Sequence, residues 1–509
     1  MHNKIEYANF VVERIVMKSN YIIAFDQGTT STRTILFNKA GKIVAIAQKE
    51  LKQLYPQSGW VEHDPIEIYE AQKSTFEEVL QKTNISEEEI GVIGITNQRE
   101  TTVVWDKKTG IPIYNAIVWL DNRTKSYCKE LKEKGHEDYV KNNTGLVIDS
   151  YFSATKLHWI LNNVEGAKEK AEAGQLLFGT IDSWLIYKFT DGKNHVTDVT
   201  NASRTMLYNC KEHCWDTHLL DIFNIPKKMM PSVQPSCSHF GDITHNTTTI
   251  PIYGVAGDQQ AALFGQGGTA PGIAKNTYGT GCFMLLHTGE EFITSKNGLL
   301  TTIACSLPNQ APQYALEGSI FVGGASIQWL RDQLQIINTA QETEAICKSI
   351  PPLEDVYVVP AFAGLGAPYW DSEAKGAMYG LTLDTGKNEI IKATIEALAF
   401  QTKDVLEAMQ EDGDMELTKL QVDGGASNNS YLMQFQADML NVPVDKPEMI
   451  EVTALGAALL AGLKAGIWKE TDLPNLRKTA TIYVPKMTSE TRQRKYLGWK
   501  QAIKRTLTT

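Results

Sequence analysis

The chain's 509 residues, 42% hydrophobic and 21% charged, exceed what one hydrophobic core holds and indicate a globular protein of two large domains. The formal net charge of −10 argues against a nucleic acid as the main partner, because binding DNA or RNA calls for a basic surface. No membrane span is predicted. The most apolar candidate, residues 452–468, is interrupted by Lys464, and its many small residues favour a closely packed, buried helix.

The segment before Tyr21 carries charged residues and lacks the apolar centre of a secretory signal. Met17 lies just before the first strand pattern, so it is a candidate start that would make residues 1–16 dispensable. We therefore expect residues 1–18 to form an N-terminal extension that need not be ordered. Seven scattered cysteines suit a reducing location, and we expect the protein to be cytoplasmic.

The first elements of the fold follow one another closely along the chain. Runs of apolar or alternating residues predict three strands, and Asp64 before Pro65 is typical of a helix start. The order β-β-β-α-β opens an actin-like, ribonuclease-H-like domain. The predicted elements are strands at 21–25, 33–37 and 42–50, a helix from Pro65 to about Lys82, and a strand at 90–95.

A second copy of this arrangement is predicted to begin near residue 252. The strand Ile252–Ala256 ends in Gly257-Asp258, and a helix over about 389–409 precedes a strand at 420–422. Glycine density near 265–275 places the boundary, which divides the chain into an N-terminal domain at 19–268 and a C-terminal domain at 269–509.

Two Gly/Thr turns join predicted strands in separate halves of the chain. Asp26-Gln27-Gly28-Thr29-Thr30-Ser31 is the first and Thr277–Gly281 the second, and such turns expose successive N–H groups to phosphate oxygens. Asp26 is placed to hold Mg²⁺ through water, and Arg33 to neutralise phosphate charge. A polar β-turn with an Asx cap explains the first loop alone equally well. Two such loops favour a nucleotide clamped across a cleft.

Two further polar motifs follow predicted strands. Asp423–Asn429 contains paired glycines that admit a flat ring and an Asn that can bind a sugar or base, although a plain strand–helix turn with an Asn cap is the simpler interpretation. Arg99-Glu100 offers both the donors and the acceptors that a polyol needs. The usual meaning of such a dipeptide is a surface ion pair.

A cluster of Cys210, His213, Cys214 and His218 admits a zinc interpretation. It lacks the second pair of ligands at regular spacing that makes a zinc prediction specific. We favour ordinary core and surface residues at these positions.

Taken together, these motifs resemble the FGGY family of carbohydrate kinases, over the range from Tyr21 to about Arg505. Tyr151–Asn163, which includes Lys156, fits the first family signature, and Gly376–Glu396 fits the second. Longer blocks resemble the members that phosphorylate glycerol. These blocks are 58–65, 94–102, 257–266 and 276–281.

The resemblance implies an α/β protein of two actin-like ATPase domains with a catalytic cleft between them. It implies transfer of the ATP γ-phosphate to glycerol, giving sn-glycerol 3-phosphate and ADP in glycerol catabolism, with Mg²⁺ as cofactor and a homodimer or homotetramer as the assembly. Asp258 is our choice for the general base, and Asp26 and Asp258 are the predicted metal ligands, through water.

The remaining site residues are carried over from the family by position. Glycerol contacts fall on Arg99, Glu100, Trp119, Tyr151, Asp258, Gln259 and Phe283. Phosphate contacts fall on Thr29, Thr30, Ser31, Arg33, Gly279 and Thr280, and the rest of the nucleotide site on Gly324, Gln328, Gly425 and Asn429.

The loop at residues 236–251 departs from the family's regulatory patterns. It matches neither the phosphorylated-histidine context nor the fructose bisphosphate loop of relatives, so neither form of regulation is predicted. His239 and His245 are interpreted as plain loop residues.

Two alternative functions stay open at this point. One is an FGGY kinase of a pentose or hexose derivative, against which the combination of Arg99-Glu100 with Trp119 and Phe283 argues. The other is an actin-like or chaperone-type ATPase that moves a partner protein and needs no polyol site.

Overall fold

The computed structural model describes residues 20–307 and 309–508, which form two compact units. Unit 1 takes in the described residues up to Thr269 together with Thr302–Tyr314 and Glu451–Arg477, and unit 2 takes in the others. Each unit is therefore built from segments that are separate in sequence, and the predicted domain division after residue 268 stays a prediction. The predicted extension at 1–18 lies outside the described residues.

A six-stranded sheet forms the centre of unit 1. Its order is β5-β6-β4-β1-β2-β3, with β1 antiparallel to β2 and parallel to β4, and with β4 parallel to β6. The early strand order predicted from the sequence is confirmed. The strands are β1 (Tyr21–Gln27), β2 (Ser31–Asn38), β3 (Ile43–Glu50), β4 (Ile90–Asn97), β5 (Gly241–His245) and β6 (Thr248–Gly257).

The helix predicted from Asp64-Pro65 is confirmed as α1 (Pro65–Thr83). The Asp64 carboxylate accepts a hydrogen bond from Ile66 N at 2.8 Å and so caps the helix. Asn84 ends it in the left-handed conformation with φ 52°.

A seven-stranded sheet, mainly in unit 2, repeats the same plan. Its order is β9-β10-β8-β7-β11-β12-β13, and β7 is antiparallel to β8 and parallel to β11. The second copy therefore begins at Ile273. The prediction that it begins near residue 252 is wrong, because that strand is β6 of the first sheet. The strands are β7 (Ile273–Tyr278), β8 (Cys282–Gly289), β9 (Leu300–Ala304), β10 (Gln313–Ile320), β11 (Lys419–Asp423), β12 (Val444–Pro447) and β13 (Thr479–Tyr483).

Five further helices bear on the site or the core. They are α2 (Asp258–Gly265), α3 (Gly324–Asp332), α4 (Lys387–Gly413), α5 (Ser430–Leu440) and α6 (Val452–Lys464). Among the described residues no helix is both long and apolar enough to cross a bilayer. The remaining α-helices are Lys125–Glu133, Glu137–Thr144, Ser153–Asn163, Ala167–Glu172, Ile181–Phe189, Val199–Ala202, Thr217–Ile222, Glu342–Ser349, Leu473–Leu476 and Ser489–Thr506.

Helix α6 confirms the buried helix predicted over 452–468 and explains its small residues. It packs against α2 and against the first sheet. A Cβ at Gly456 would lie 1.9 Å from the carbonyl oxygen of Ala261 in α2, and one at Gly94 would lie 2.2 Å from that of Ala457. Backbone contact this close requires glycine, and it holds α2 firmly under the end of the sheet.

Candidate active site

Asp258 is the first residue of α2, where β6 ends. Its side chain is 34% exposed, and its Oδ1 lies 3.3 Å from Arg99 Nε. The Gly257 N–H donates to Thr200 Oγ1 at 2.8 Å, which ties the start of the helix to the short helix Val199–Ala202. A Cβ at Gly257 would come within 2.8 Å of the Arg99 side chain, so glycine makes room for the guanidinium beside the carboxylate.

Arg99 and Glu100 lie two and three residues beyond the end of β4 and are buried, with 3% and 1% of their surface exposed. The interpretation as a surface ion pair is therefore wrong. Glu100 has φ 62°, a left-handed backbone conformation that costs a residue with a side chain of order 1 kcal/mol. Its carbonyl oxygen accepts from Ser153 Oγ at 2.8 Å. The surrounding structure thus holds this turn in a strained shape.

Arg204 is a site residue that sequence reasoning missed. It is fully buried, and its Nε donates to Glu100 Oε1 at 2.6 Å. Its guanidinium lies 5.6 Å from the ring centroid of Tyr151 and 5.3 Å from that of Phe152. Arg204 therefore links the carboxylate of Glu100 to the aromatic side of the same pocket.

Trp119 and Tyr151 form that aromatic side. Their rings meet edge to face with centroids 5.5 Å apart. Trp119 Nε1 donates to Thr29 Oγ1 at 2.9 Å, so the first Gly/Thr turn adjoins the aromatic wall. The backbone of Gln259 donates to Asp258 Oδ1 at 2.7 Å. Unit 1 thus contains every predicted glycerol contact except Phe283. We call this group the acceptor pocket, and its members are Arg99, Glu100, Trp119, Tyr151, Asp258 and Gln259.

The first Gly/Thr turn joins β1 to β2 as predicted, with the Gly28 N–H donating to the carbonyl of Ser31 at 2.9 Å. Asp26 and Arg33 face each other across this hairpin and form an ion pair, and Arg33 also binds Glu451 Oε2 at 2.6 Å. Burial raises the pKa of Asp26 to about 6, against the opposing effect of Arg33. The negative charge of Asp258 adds to that rise in the pKa of Asp26, because the two carboxylates repel each other.

The Cys210 cluster offers nothing that favours zinc. The Cys210 thiol is buried and directed at the carbonyl of Thr144, 3.3 Å away, and His213 binds the Tyr314 hydroxyl at 3.1 Å. Within residues 20–307 and 309–508, no group of three or more His, Cys, Asp or Glu side chains is placed to hold a metal ion.

A cavity of about 360 Å³ in unit 2 gathers six of the predicted nucleotide residues. The hairpin between β7 and β8 forms one side, where the Gly324 N–H donates to the carbonyl of Gly279 at 2.8 Å. Arg331 and Glu344 also line it and were not predicted. The six predicted lining residues are Gly279, Thr280, Gly324, Gln328, Gly425 and Asn429.

Asn429 confirms the helix-cap interpretation of its motif, and its contact with a nucleotide stays a prediction. Its side chain accepts from Leu432 N at 3.0 Å and caps α5, while Nδ2 donates to Thr343 Oγ1 at 3.1 Å. It also lines the cavity. The helix cap therefore fixes the amide at the cavity wall.

Phe283 lies in β8 of unit 2, opposite Thr277 across the second hairpin. Its contact with glycerol stays a prediction.

Comparison with known proteins identifies the family to which this chain belongs. The N-terminal domain model of the FGGY family of carbohydrate kinases matches residues 21–265, and the C-terminal domain model matches 274–465. The chain therefore belongs to the FGGY family of carbohydrate kinases.

Within that family, the similar proteins include glycerol kinases. The chain is 57% identical to one from Alkaliphilus oremlandii, covering 96% of this chain and 97% of that protein, and 56% identical to one from Haemophilus influenzae, with the same coverage. A crystal structure of Plasmodium falciparum glycerol kinase with ADP matches with a TM-score of 0.92 at 38% identity, covering 96% of this chain and 99% of the other.

Proposed function

We infer that this chain transfers the γ-phosphate of ATP to glycerol, giving sn-glycerol 3-phosphate and ADP in glycerol catabolism. The observation that carries this inference is the acceptor pocket, where the Asp258 and Glu100 carboxylates lie beside Arg99. Each hydroxyl of a polyol needs a donor and an acceptor, and the rings of Trp119 and Tyr151 suit its short carbon skeleton. The similarity to glycerol kinases over nearly the whole chain supports the same substrate.

Asp258 is the residue that removes the proton from glycerol in this proposal. A primary alcohol is a poor nucleophile, so a carboxylate must accept its proton as the oxygen attacks phosphorus. The Asp258 side chain is partly exposed and so open to a substrate, and Arg99 Nε lies 3.3 Å from its Oδ1. In this proposal Glu100, whose Oε1 accepts from Arg204 Nε at 2.6 Å, accepts from a second hydroxyl of glycerol.

ATP is assigned to the two Gly/Thr hairpins and the unit 2 cavity. In this proposal Thr29, Thr30, Ser31 and Arg33 contact phosphates from unit 1, while the cavity binds the nucleoside. The volume of about 360 Å³ suits an adenosine, and the similar structure bound to ADP supports a nucleotide of this kind. Transfer then requires the terminal phosphate to reach the acceptor pocket.

Substituting Gly425 by Val should raise the KM for ATP by about tenfold or more and leave the KM for glycerol within about twofold. A Cβ at Gly425 meets no atom within 4 Å and Gly425 lines the cavity, so we expect the Val side chain to narrow the nucleotide site while the fold tolerates it. Steady-state kinetics with each substrate varied, and the melting temperature, check this. An unchanged KM for ATP would remove Gly425 from the nucleotide site.

Mg²⁺ fits the residues at the end of β1. Asp26 and Asp258 would hold the ion through water with carboxylate oxygens of the kind that Mg²⁺ prefers, and a divalent cation would offset the repulsion between the two charges. When bound with ATP, the ion neutralises charge on the phosphates. Arg33 orients Asp26 from the facing strand.

Replacing Asp26 by Asn should raise the Mg²⁺ concentration for half-maximal activity by about tenfold or more without unfolding the protein. Because burial already disfavours the charged carboxylate, a neutral amide of the same shape is tolerated there. A Mg²⁺ titration at fixed ATP, together with the melting temperature, tests this. Asp242, which is exposed on β5, is the control, and its Asn variant should keep the wild-type titration.

The function itself is tested by measuring ADP formation and glycerol phosphate across a panel of glycerol, pentuloses and hexoses. Strong dependence on glycerol is the expected result. Preference for a pentulose would favour a sugar kinase of the same family, and ATP turnover independent of any small alcohol would favour an ATPase that moves a partner protein. The cytoplasm, where ATP is available, and a homodimer or homotetramer remain the proposed location and assembly.

A further inference from the structure

Lys156 is a buried cation that the proposed chemistry does not use. It lies in the helix Ser153–Asn163 with none of its surface exposed. Its Nζ donates to three successive carbonyl oxygens that precede this helix, those of Ser150, Tyr151 at 2.7 Å and Phe152 at 3.3 Å. Burying an ammonium group is costly unless its hydrogen bonds are satisfied. Here the three carbonyl oxygens satisfy them, so the lysine and this stretch of backbone hold each other in place.

The segment that Lys156 holds carries one wall of the acceptor pocket. The Tyr151 ring meets Trp119 edge to face, and Arg204 lies over the Tyr151 ring from another side. The backbone N–H of Tyr151 is itself bound by Asp149 Oδ1 at 2.8 Å. Lys156 therefore fixes the backbone from which the Tyr151 ring projects.

We propose that Lys156 is a positioning residue for the acceptor substrate, whose ammonium group gathers the carbonyls of residues 150–152 and so holds the Tyr151 ring in place against Trp119. This inference rests on the proposed function of the pocket. Lys156 itself touches backbone oxygens, and it acts on glycerol through Tyr151.

The charge of Lys156 is sensitive to pH in the alkaline range. Burial lowers the pKa of Lys156 to about 8, while the carboxylates of Glu100, Asp121 and Asp149 and the nearby Cys128 thiol oppose that shift. As pH rises through this value the ammonium becomes an amine, which offers two N–H donors to three carbonyls. The hold on Tyr151 then weakens, and the affinity for glycerol falls.

The experiment measures the KM for glycerol and the KM for ATP from about pH 7 to about pH 9.5, in wild type, Lys156→Arg and Lys156→Met. In wild type the KM for glycerol should rise about fivefold to tenfold across this range, whereas the KM for ATP should not show this rise. Lys156→Arg keeps its charge and should remove the rise. Lys156→Met should show a raised KM for glycerol at every pH.

Lys392 provides a matched control in unit 2. It is also buried, and its Nζ donates to the carbonyls of Ile350 at 3.0 Å and Pro351 at 2.9 Å. Lys392→Met should lower the melting temperature as a buried lysine variant does, yet keep the wild-type KM for glycerol and its pH dependence. A structural role alone would make the two Met variants behave alike.

A KM for glycerol that stays flat in wild type up to about pH 9.5 would overturn the inference, even if no variant of Lys156 folds. So would a Lys156→Arg protein that titrates like wild type. Absence of glycerol phosphorylation by wild type at neutral pH would instead contradict the proposed function, and with it the pocket to which this inference refers.

Discussion

Substituting Asp258 by Asn should lower kcat for glycerol phosphorylation by about 10²-fold to 10⁴-fold, the usual contribution of a general base. The amide keeps the shape of the carboxylate and its place at the start of α2, but it cannot accept the proton of the attacking hydroxyl. Nucleotide affinity should stay near wild type, because the cavity assigned to the nucleoside is lined by residues of unit 2. Rapid-quench measurement of product and equilibrium titration with ADP separate the two effects.

Asp216→Asn is a matched control for this loss. Asp216 also stands at the start of a helix in unit 1, where its carboxylate accepts from His218 N at 2.9 Å, and Asn is an equally good cap. That variant should keep wild-type kcat. An Asp258→Asn protein with kcat within about threefold of wild type would assign proton removal to another group, with Glu100 as the next candidate.

The parts of the fold that were predicted correctly depend on neighbouring residues. Helix α1 follows from a capping Asp and a Pro at its first position, and the structure ends it one residue beyond the predicted end. The strand β6 shows the limit of such signals. Its apolar run before Gly257-Asp258 looks like the opening of a new domain, whereas its parallel pairing with β4 joins residues about 160 positions apart in sequence. No local pattern contains that pairing.

The same limit applies to the acceptor pocket. Arg99-Glu100 could be recognised as a polyol-binding pair because the two residues are adjacent. Arg204, which binds Glu100 from 104 residues away, has no local signature, and neither has the contact between Trp119 and Thr29. Lys156 falls within a recognised signature, but the role proposed for it depends on which carbonyl oxygens its side chain binds, and the sequence does not show that.

Arg99→Ala should raise the KM for glycerol by about 10-fold to 100-fold and also lower kcat, by about tenfold. The sequence alone suggests an effect mainly on binding. The structure adds that Arg99 Nε lies 3.3 Å from Asp258 Oδ1 and that Nη1 donates to Gln260 Oε1 at 3.2 Å. Removing the guanidinium therefore releases the base as well as a substrate contact, and it withdraws a positive charge from buried Glu100.

Arg99→Lys separates the two roles, since an ammonium keeps the charge but lacks the planar fork that spans Asp258 and Gln260. Its KM for glycerol should lie between those of wild type and Arg99→Ala, while its kcat should fall nearly as far as that of the Ala variant. Arg477→Ala removes another buried arginine of unit 1, bound to Gln266 at 3.0 Å, and should change the melting temperature but neither kinetic constant. An Arg99→Ala enzyme with raised KM and unchanged kcat would show that Asp258 keeps its position without Arg99, and the orientation of the base would then rest on α2 alone.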